Sequence, residues 1–210
     1  MTNIRIITID REFGSGGNVI AEQLAARLGW KLWDQRLTDE IAMRMDCERR
    51  AVEEREERRD PAYYRLFKAF LRGSFEGTLN TQRMKMVDAD CIREVARTIV
   101  LEVAEAGNCV IVGRGAAYYL GDRHDAFHVF TYALFDDKVR RIQSTGKTEE
   151  EASRLAEEVD VDRSAFIGQY FNVAWPERQR FHMMINSSMG EQLAVEIILD
   201  AVKRFSGQPS

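Results

Sequence analysis

Between Ile4 and Leu28 the chain switches from strand-like to helix-like patterning across a glycine turn, and few folds accommodate that switch. Ile4-Arg5-Ile6-Ile7-Thr8-Ile9-Asp10 is rich in β-branched apolar residues and predicts a buried strand. Gly14-Ser15-Gly16-Gly17 then supplies three glycines around one serine. Val19, Ile20, Leu24 and Leu28 follow at helical spacing, with Ala21, Ala25 and Ala26 as helix formers. Strand, glycine turn and helix N-terminus together make an anion site, because free N–H groups and the positive end of the helix dipole face the bound group. The usual phosphate-loop pattern is G-x-x-x-x-G-K-[ST]. Anchored on Gly16, this chain carries Arg11 at the first Gly, Gly17 at the Lys and Asn18 at the Ser/Thr. Arg11 is the candidate for the missing positive charge, and Asn18 offers a carbonyl oxygen. The alternative is an ordinary glycine-rich turn with no ligand.

Downstream, short apolar runs alternate with helical patterns. Gly29 predicts a C-cap. Trp30-Lys31-Leu32-Trp33 predicts a second strand ending at Asp34. Asp34 then serves as a ligand-facing residue at a strand end or as the N-cap of a helix over 37–45. Residues 46–60 are dominated by Glu and Arg at i,i+3 and i,i+4 spacing and read as a solvated helix. Tyr63 to Phe75 is an aromatic, amphipathic segment suited to local core, to a lid over a planar ligand, or to a homodimer interface. Residues 73–81 read as a loop, and a long helix is expected over 83–106. Strands are expected at Cys109–Val112, Ala126–Leu134 and Phe181–Asn186. Helices are expected over 136–144, 148–158, 162–170 and 190–205, the second opened by a Thr148/Glu151 capping box. This alternation predicts an α/β fold, a parallel sheet covered by helices on both faces.

Three groups of residues suit phosphate chemistry. The first is the loop: Gly14, Ser15, Gly16, Gly17 and Asn18, with Arg11 at its entrance. The second is Gly113-Arg114-Gly115 at a strand end, where an arginine can grip phosphate or carboxylate in two-pronged fashion. The third spans Arg140-Arg141, Lys147 and Asp160-Val161-Asp162-Arg163, which suits a closing lid, or simply a solvated face. His124, His128 and His182 show no metal or base-orienting spacing.

With 210 residues, 45% hydrophobic and 30% charged, one domain is expected. A net charge of -4 leaves no footprint for nonspecific nucleic-acid binding. No run is long enough to span a membrane. Cys47, Cys91 and Cys109 form no metal-ligand spacing and no disulfide framework, so a cytoplasmic location is expected.

The chain resembles the cytidylate kinase-like family, a branch of the P-loop nucleoside monophosphate kinases. The carriers are Ile-Thr-Ile-Asp-Arg-Glu-Phe-Gly-Ser-Gly-Gly (7–17), Leu-Gly-Trp-Lys-Leu-Trp-Asp (28–34), Val-Gly-Arg-Gly-Ala (112–116), Val-Asp-Val-Asp-Arg (159–163) and Met-Ile-Asn-Ser-Ser (184–188). The resemblance implies a P-loop NTPase-type three-layer α/β/α domain over 1–210 with a mostly parallel five-stranded sheet. A helical acceptor-binding region is implied near 46–106 and a lid near 136–172. It further implies ATP with Mg²⁺, and transfer of the γ-phosphoryl to a nucleoside monophosphate, CMP or dCMP first. Gly14 to Asn18 would cradle ATP. Asp34, Arg114 and Asp162 would meet the acceptor, while Arg140 and Arg163 would be lid arginines acting with Arg11 and Asp34 in catalysis. No residue is implied as a standing metal ligand. The loop lysine of true cytidylate kinases is absent here. The rival readings are a nucleotide-binding module without turnover and a kinase for a non-nucleotide small acceptor.

Overall fold

A computed structural model describes residues 3–34, 36–37, 39–41, 43–44 and 89–206. The charged segment 46–60, the aromatic segment 63–75, the loop 73–81 and the expected start of the helix at 83 lie outside the described residues, as does most of the expected acceptor-binding region.

The isoleucine-rich start forms strand β1, Ile6–Arg11. Helix α1, Gly17–Leu28, follows the glycine turn, and strand β2, Lys31–Trp33, follows α1. Described residues between 36 and 44 are helical. Next come α2 (Ala89–Ala106), β3 (Cys109–Val112), a short α3 (Ala116–Tyr119) and β4 (Ala126–Tyr132). The chain ends with α4 (Phe135–Gln143), α5 (Glu149–Phe171), β5 (Met183–Asn186) and α6 (Glu191–Ser206), with 3-10 turns at Arg178–Arg180 and Ser187–Met189. The five strands form one sheet in the order β2-β3-β1-β4-β5, and every pairing is parallel.

Strand alternation separates two cores. Ile7 and Ile9 face α1 and α6, packing with Ile20, Leu24, Val195 and Ile198. Ile6 faces the other side, with Ile99, Val103, Leu120 and the α5 residues Phe166 and Ile167. Each fully buried isoleucine contributes about 2 kcal/mol from apolar burial. A third cluster joins Phe13 of the loop to Val139, Ile142, Ala152, Ala156 and Val159, so the α4–α5 hairpin rests on the glycine loop.

The spacing predicts two helices across 148–170, but α5 is continuous through Asp160 and Asp162. Aspartate and valine there weaken helix propensity. Partners from the loop and α4 hold Asp160, and that tertiary support carries the helix through. Thr148 caps α5 as expected, accepting from the Glu151 N–H at 3.2 Å. Cys109 is buried, and burial pushes its thiol up to about 11, which suits a packing role.

His128 lies in the sheet interior. Its Nδ1 hydrogen-bonds Thr8 Oγ1 at 2.8 Å, and its ring stacks on His182. Burial, and then the neighbouring His182, push His128 down to about 4. The unfolded chain takes up this proton near pH 6.5, so the stability from neutral His128 is complete above that pH and lost toward pH 4. Urea unfolding is expected to lose about 2 kcal/mol between pH 7 and pH 5 from this group. The loss should shrink in His128→Gln; an identical pH slope in that variant would refute the assignment.

Candidate active site

The glycine loop runs from the end of β1 to the start of α1. Gly14 and Gly16 both adopt φ of 74°. A Cβ at Gly14 would stand 2.9 Å from the Lys138 carbonyl, and one at Gly16 would stand 2.8 Å from Glu191 Oε1. Gly16 caps α1 without a side-chain bond, so the first N–H groups of the helix face the loop's concavity. Behind the loop, Ser15 and Thr131 hydroxyls pair at 3.2 Å and Ser187 Oγ donates to the Ser15 carbonyl. Arg141 donates to the Ser187 carbonyl at 2.9 Å and pairs with Glu191 at 2.9 Å. The cradle is therefore braced by α4 and by the start of α6.

Arg11 ends β1 and is 4% exposed. Its Nε donates to Asn18 Oδ1 at 3.1 Å, and Asn18 Nδ2 donates to Asp34 Oδ2 at 3.0 Å. This links the loop entrance, the first turn of α1 and the end of β2. Two glycines make room for the arginine. A Cβ at Gly113 would lie 2.1 Å from Arg11 Nη1, and one at Gly17 would lie 2.8 Å from Arg11 Cβ and 2.6 Å from Thr131 Oγ1. The Arg11 side chain thus runs past the backbone of Gly17, the residue aligned with the missing lysine.

Arg114 stands between Gly113 and Gly115 at the end of β3, next to β1 in the sheet. All three residues have positive φ: 62°, 58° and 72°. For arginine this conformation costs about 1 kcal/mol, and such strain concentrates at functional sites. Arg163 reaches the same place from α5, donating to the Arg11 carbonyl at 2.6 Å and to Asp160 Oδ1 at 3.2 Å. Arg114 and Arg163 are both buried. Burial, and then the like charge of Arg11, push Arg114 down to about 9 and Arg163 down to about 10. Both remain cationic at neutral pH. Burial pushes Asp34 up from the usual carboxylate value, and Arg11, Arg114 and Arg163 pull against it. Three guanidiniums therefore act on one carboxylate.

Of the residues named from sequence, Arg11, Gly14 to Asn18, Asp34, Arg114 and Arg163 meet at the C-terminal edge of the sheet. Asp162 is half-buried beside Arg163 on α5. Arg140 is not brought there. Its side chain is 75% exposed and pairs with Asp137 at 2.8 Å, because it projects from the solvent side of α4. Lys138 and Arg141, three residues apart on the inner face of that helix, meet the loop instead.

Sequence reasoning passed over Lys138 and gave Asp160 no separate role. Asp160 accepts from Phe13 N–H at 2.8 Å and Lys138 Nζ at 2.7 Å, besides Arg163. Lys138 also lies 3.4 Å from Glu12. The available signal was the helical phase of α4, which puts Lys138 and Arg141 on one face and Arg140 off it.

The loop suits a polyphosphate because the N-terminus of α1 and three guanidiniums converge beside it. Mg²⁺, implied by the family resemblance, fits less well. Asn18 replaces the metal-binding hydroxyl and is engaged by both Arg11 and Asp34. Among the described residues, no three His, Cys, Asp or Glu side chains group to hold a metal ion.

Comparison with solved structures places the fold. An uncharacterized protein from Eubacterium ventriosum superposes with TM-score 0.68 at 22% identity, covering 97% of this chain and 99% of that one. Shikimate kinase from Bacteroides thetaiotaomicron gives TM-score 0.53 at 18% identity, with coverage of 94% and 98%. Shikimate kinase from Acinetobacter baumannii, solved with shikimate, gives 0.53 at 12%, with coverage of 99% and 97%. The α/β fold is that of the P-loop kinases. No curated protein matches the chain. No helix among the described residues is long and apolar enough to cross a membrane. The sequence profile of the cytidylate kinase-like family matches residues 6–189, which takes in the loop, Asp34, Arg114 and Arg163, and the chain belongs to that family.

Proposed function

We propose that the protein is a phosphotransferase that takes the γ-phosphoryl of ATP to a nucleoside monophosphate, with CMP or dCMP as the first candidate. The observation that carries this reading is the Arg11–Asn18–Asp34 chain, which ties the donor cradle to the acceptor edge of the sheet. The loop N–H groups and Arg11 hold the β- and γ-phosphates. Arg114 holds the acceptor's phosphate, and Asp34 orients the acceptor, with Asp162 beside it. In transfer, an acceptor oxygen bonds to the γ-phosphorus as the bond to the bridging oxygen breaks, and the electron pair leaves on ADP. Negative charge spreads over the equatorial oxygens, and Arg11 and Arg163 offset it from fixed positions. Fixing both substrates along one hydrogen-bonded chain supplies the orientation that phosphoryl transfer needs.

A second reading has its own support. Burial raises Asp34, making it a better proton acceptor than a surface aspartate. That property serves a hydroxyl acceptor, which must lose a proton, more than a monophosphate. A coupled ADP-release assay across nucleoside monophosphates and small hydroxy acids separates the two. Turnover on CMP or dCMP is the expected result. Turnover on hydroxy acids alone supports the second reading. ATP binding without turnover on any acceptor supports a regulatory nucleotide-binding module and sinks both. Arg114→Ala is expected to raise the acceptor KM by about tenfold or more with less effect on the ATP KM. An unchanged acceptor KM removes Arg114 from the site.

A further inference from the structure

Among the described residues, five carboxylates stand around the glycine loop and its edge of the sheet, and all five are held by donors, Glu191 by Arg141 at 2.9 Å. Asp10 accepts from the Arg11 N–H at 3.0 Å and from Trp175 Nε1 at 3.1 Å. Glu12 lies 3.4 Å from Lys138 Nζ and accepts from the Ala133 N–H at 3.4 Å. Asp160 takes the Phe13 N–H, Lys138 and Arg163. Asp34 accepts from Asn18. A Mg²⁺ ion on nucleotide phosphates ordinarily takes one or two protein oxygens. Here a cation beside Asp34 would meet the fields of Arg11, Arg114 and Arg163 at once.

The same three guanidiniums suit an anion. All three are nine-tenths or more buried beside the loop. They come from three separate elements, the ends of β1 and β3 and the middle of α5. Gly113 and Gly17 leave the space that Arg11 fills. Arginines from separate elements do not converge in a buried site by surface chance, because their mutual repulsion and desolvation destabilise the fold. Asp34 and Asp160 offset part of these costs, and a bound anion offsets more.

We infer that the Arg11–Arg114–Arg163 cluster takes the divalent cation's place in holding the polyphosphate, so that the site binds the metal-free anion. The ligand class is a linear polyphosphate, as in ATP or inorganic tripolyphosphate. This deepens the phosphotransfer reading and rests on its assignment of the loop as the phosphate cradle. It concerns the binding step.

The test is isothermal titration of the full chain with inorganic tripolyphosphate and with ATP, once in EDTA and once in excess Mg²⁺. The expected result is a Kd in EDTA that is equal to or tighter than that in Mg²⁺, to within about threefold. Arg11→Met should weaken binding in EDTA by about tenfold or more. Arg154→Ala, which removes an exposed arginine paired with Glu158, should leave it unchanged. Binding more than threefold weaker in EDTA overturns the inference; ADP release in Mg²⁺ alongside it leaves the phosphotransfer reading standing. Tight binding in EDTA with no ADP release under any condition upholds the inference and overturns that reading. No binding of either ligand under either condition overturns both. Equal loss in Arg11→Met and Arg154→Ala marks nonspecific charge attraction and overturns the inference. Where Arg11→Met fails to fold, the wild-type comparison decides alone.

Discussion

Replacing Arg11 by alanine is expected to lower kcat/KM for phosphoryl transfer by about 10³-fold while leaving the fold in place. A factor of that size is about 4 kcal/mol of transition-state stabilisation, within the range that one positioned arginine supplies in phosphoryl transfer. The location supports it: Arg11 joins the loop to Asn18 and lies against Gly113. The effect on stability should be small because two changes oppose each other. Asn18 loses a hydrogen-bond donor, which costs about 1 kcal/mol. Arg114 and Arg163 lose a like charge that pushes both guanidiniums down, so their burial becomes less unfavourable. Arg11→Lys keeps the charge but loses the Nε contact, and should recover part of the rate. Steady-state kinetics with thermal melting on the same preparations checks this. Wild-type kcat/KM in Arg11→Ala would end the proposal that Arg11 does the loop lysine's work.

Gly17→Ala is expected to destabilise the protein by about 2 kcal/mol and to cut kcat/KM by about 10²-fold. One methyl group has this effect because of where it lands. It would stand 2.6 Å from Thr131 Oγ1 and 2.8 Å from Arg11 Cβ, and neither atom is the free end of a flexible chain. Thr131 belongs to β4 and pairs with Ser15, so the clash displaces Arg11 and the cradle together. Gly17→Lys, which restores the usual loop pattern, should therefore harm the site rather than repair it. The partner of the substitution is Arg11 itself. In Arg11→Gly with Gly17→Ala, the stability losses should sum to less than the two singles by about 1 kcal/mol, since one clash is gone. Strict additivity in urea unfolding would show that the two side chains do not share this space.

The strand–glycine–helix start and the run of β-branched segments were legible because they depend on local patterning. Period-two and period-3.6 spacing placed β1, α1, β3 and α6 to within about two residues of where they lie. Helix α5 was less legible. Its Asp-Val-Asp stretch reads as a break, and Lys138 and Phe13, distant in sequence, supply the partners that keep it helical. Which of Arg140 and Arg141 meets the loop was not legible for a related reason. Resemblance selects a motif position, whereas the helical phase of α4 decides which side chain faces the loop.

By itself, the sequence determined an α/β chain with a phosphate loop lacking its lysine, and named Arg11, Asp34, Arg114 and Arg163 as the charges to follow. The fold inference holds because residue type and short-range spacing are enough to specify strands, turns and helix starts, whereas the four charges were named from their motif positions. Only the tertiary structure decided that these residues meet. The parallel order β2-β3-β1-β4-β5 brings the ends of β1, β2 and β3 to one edge, and α5 carries Arg163 over it. Neighbours in that edge lie between 7 and 152 residues apart in the chain, so no local rule can pair them. The space at Gly17 and Gly113 through which Arg11 passes is likewise a property of the packed sheet edge, because it is set by Thr131 of β4 and by the turn after β3.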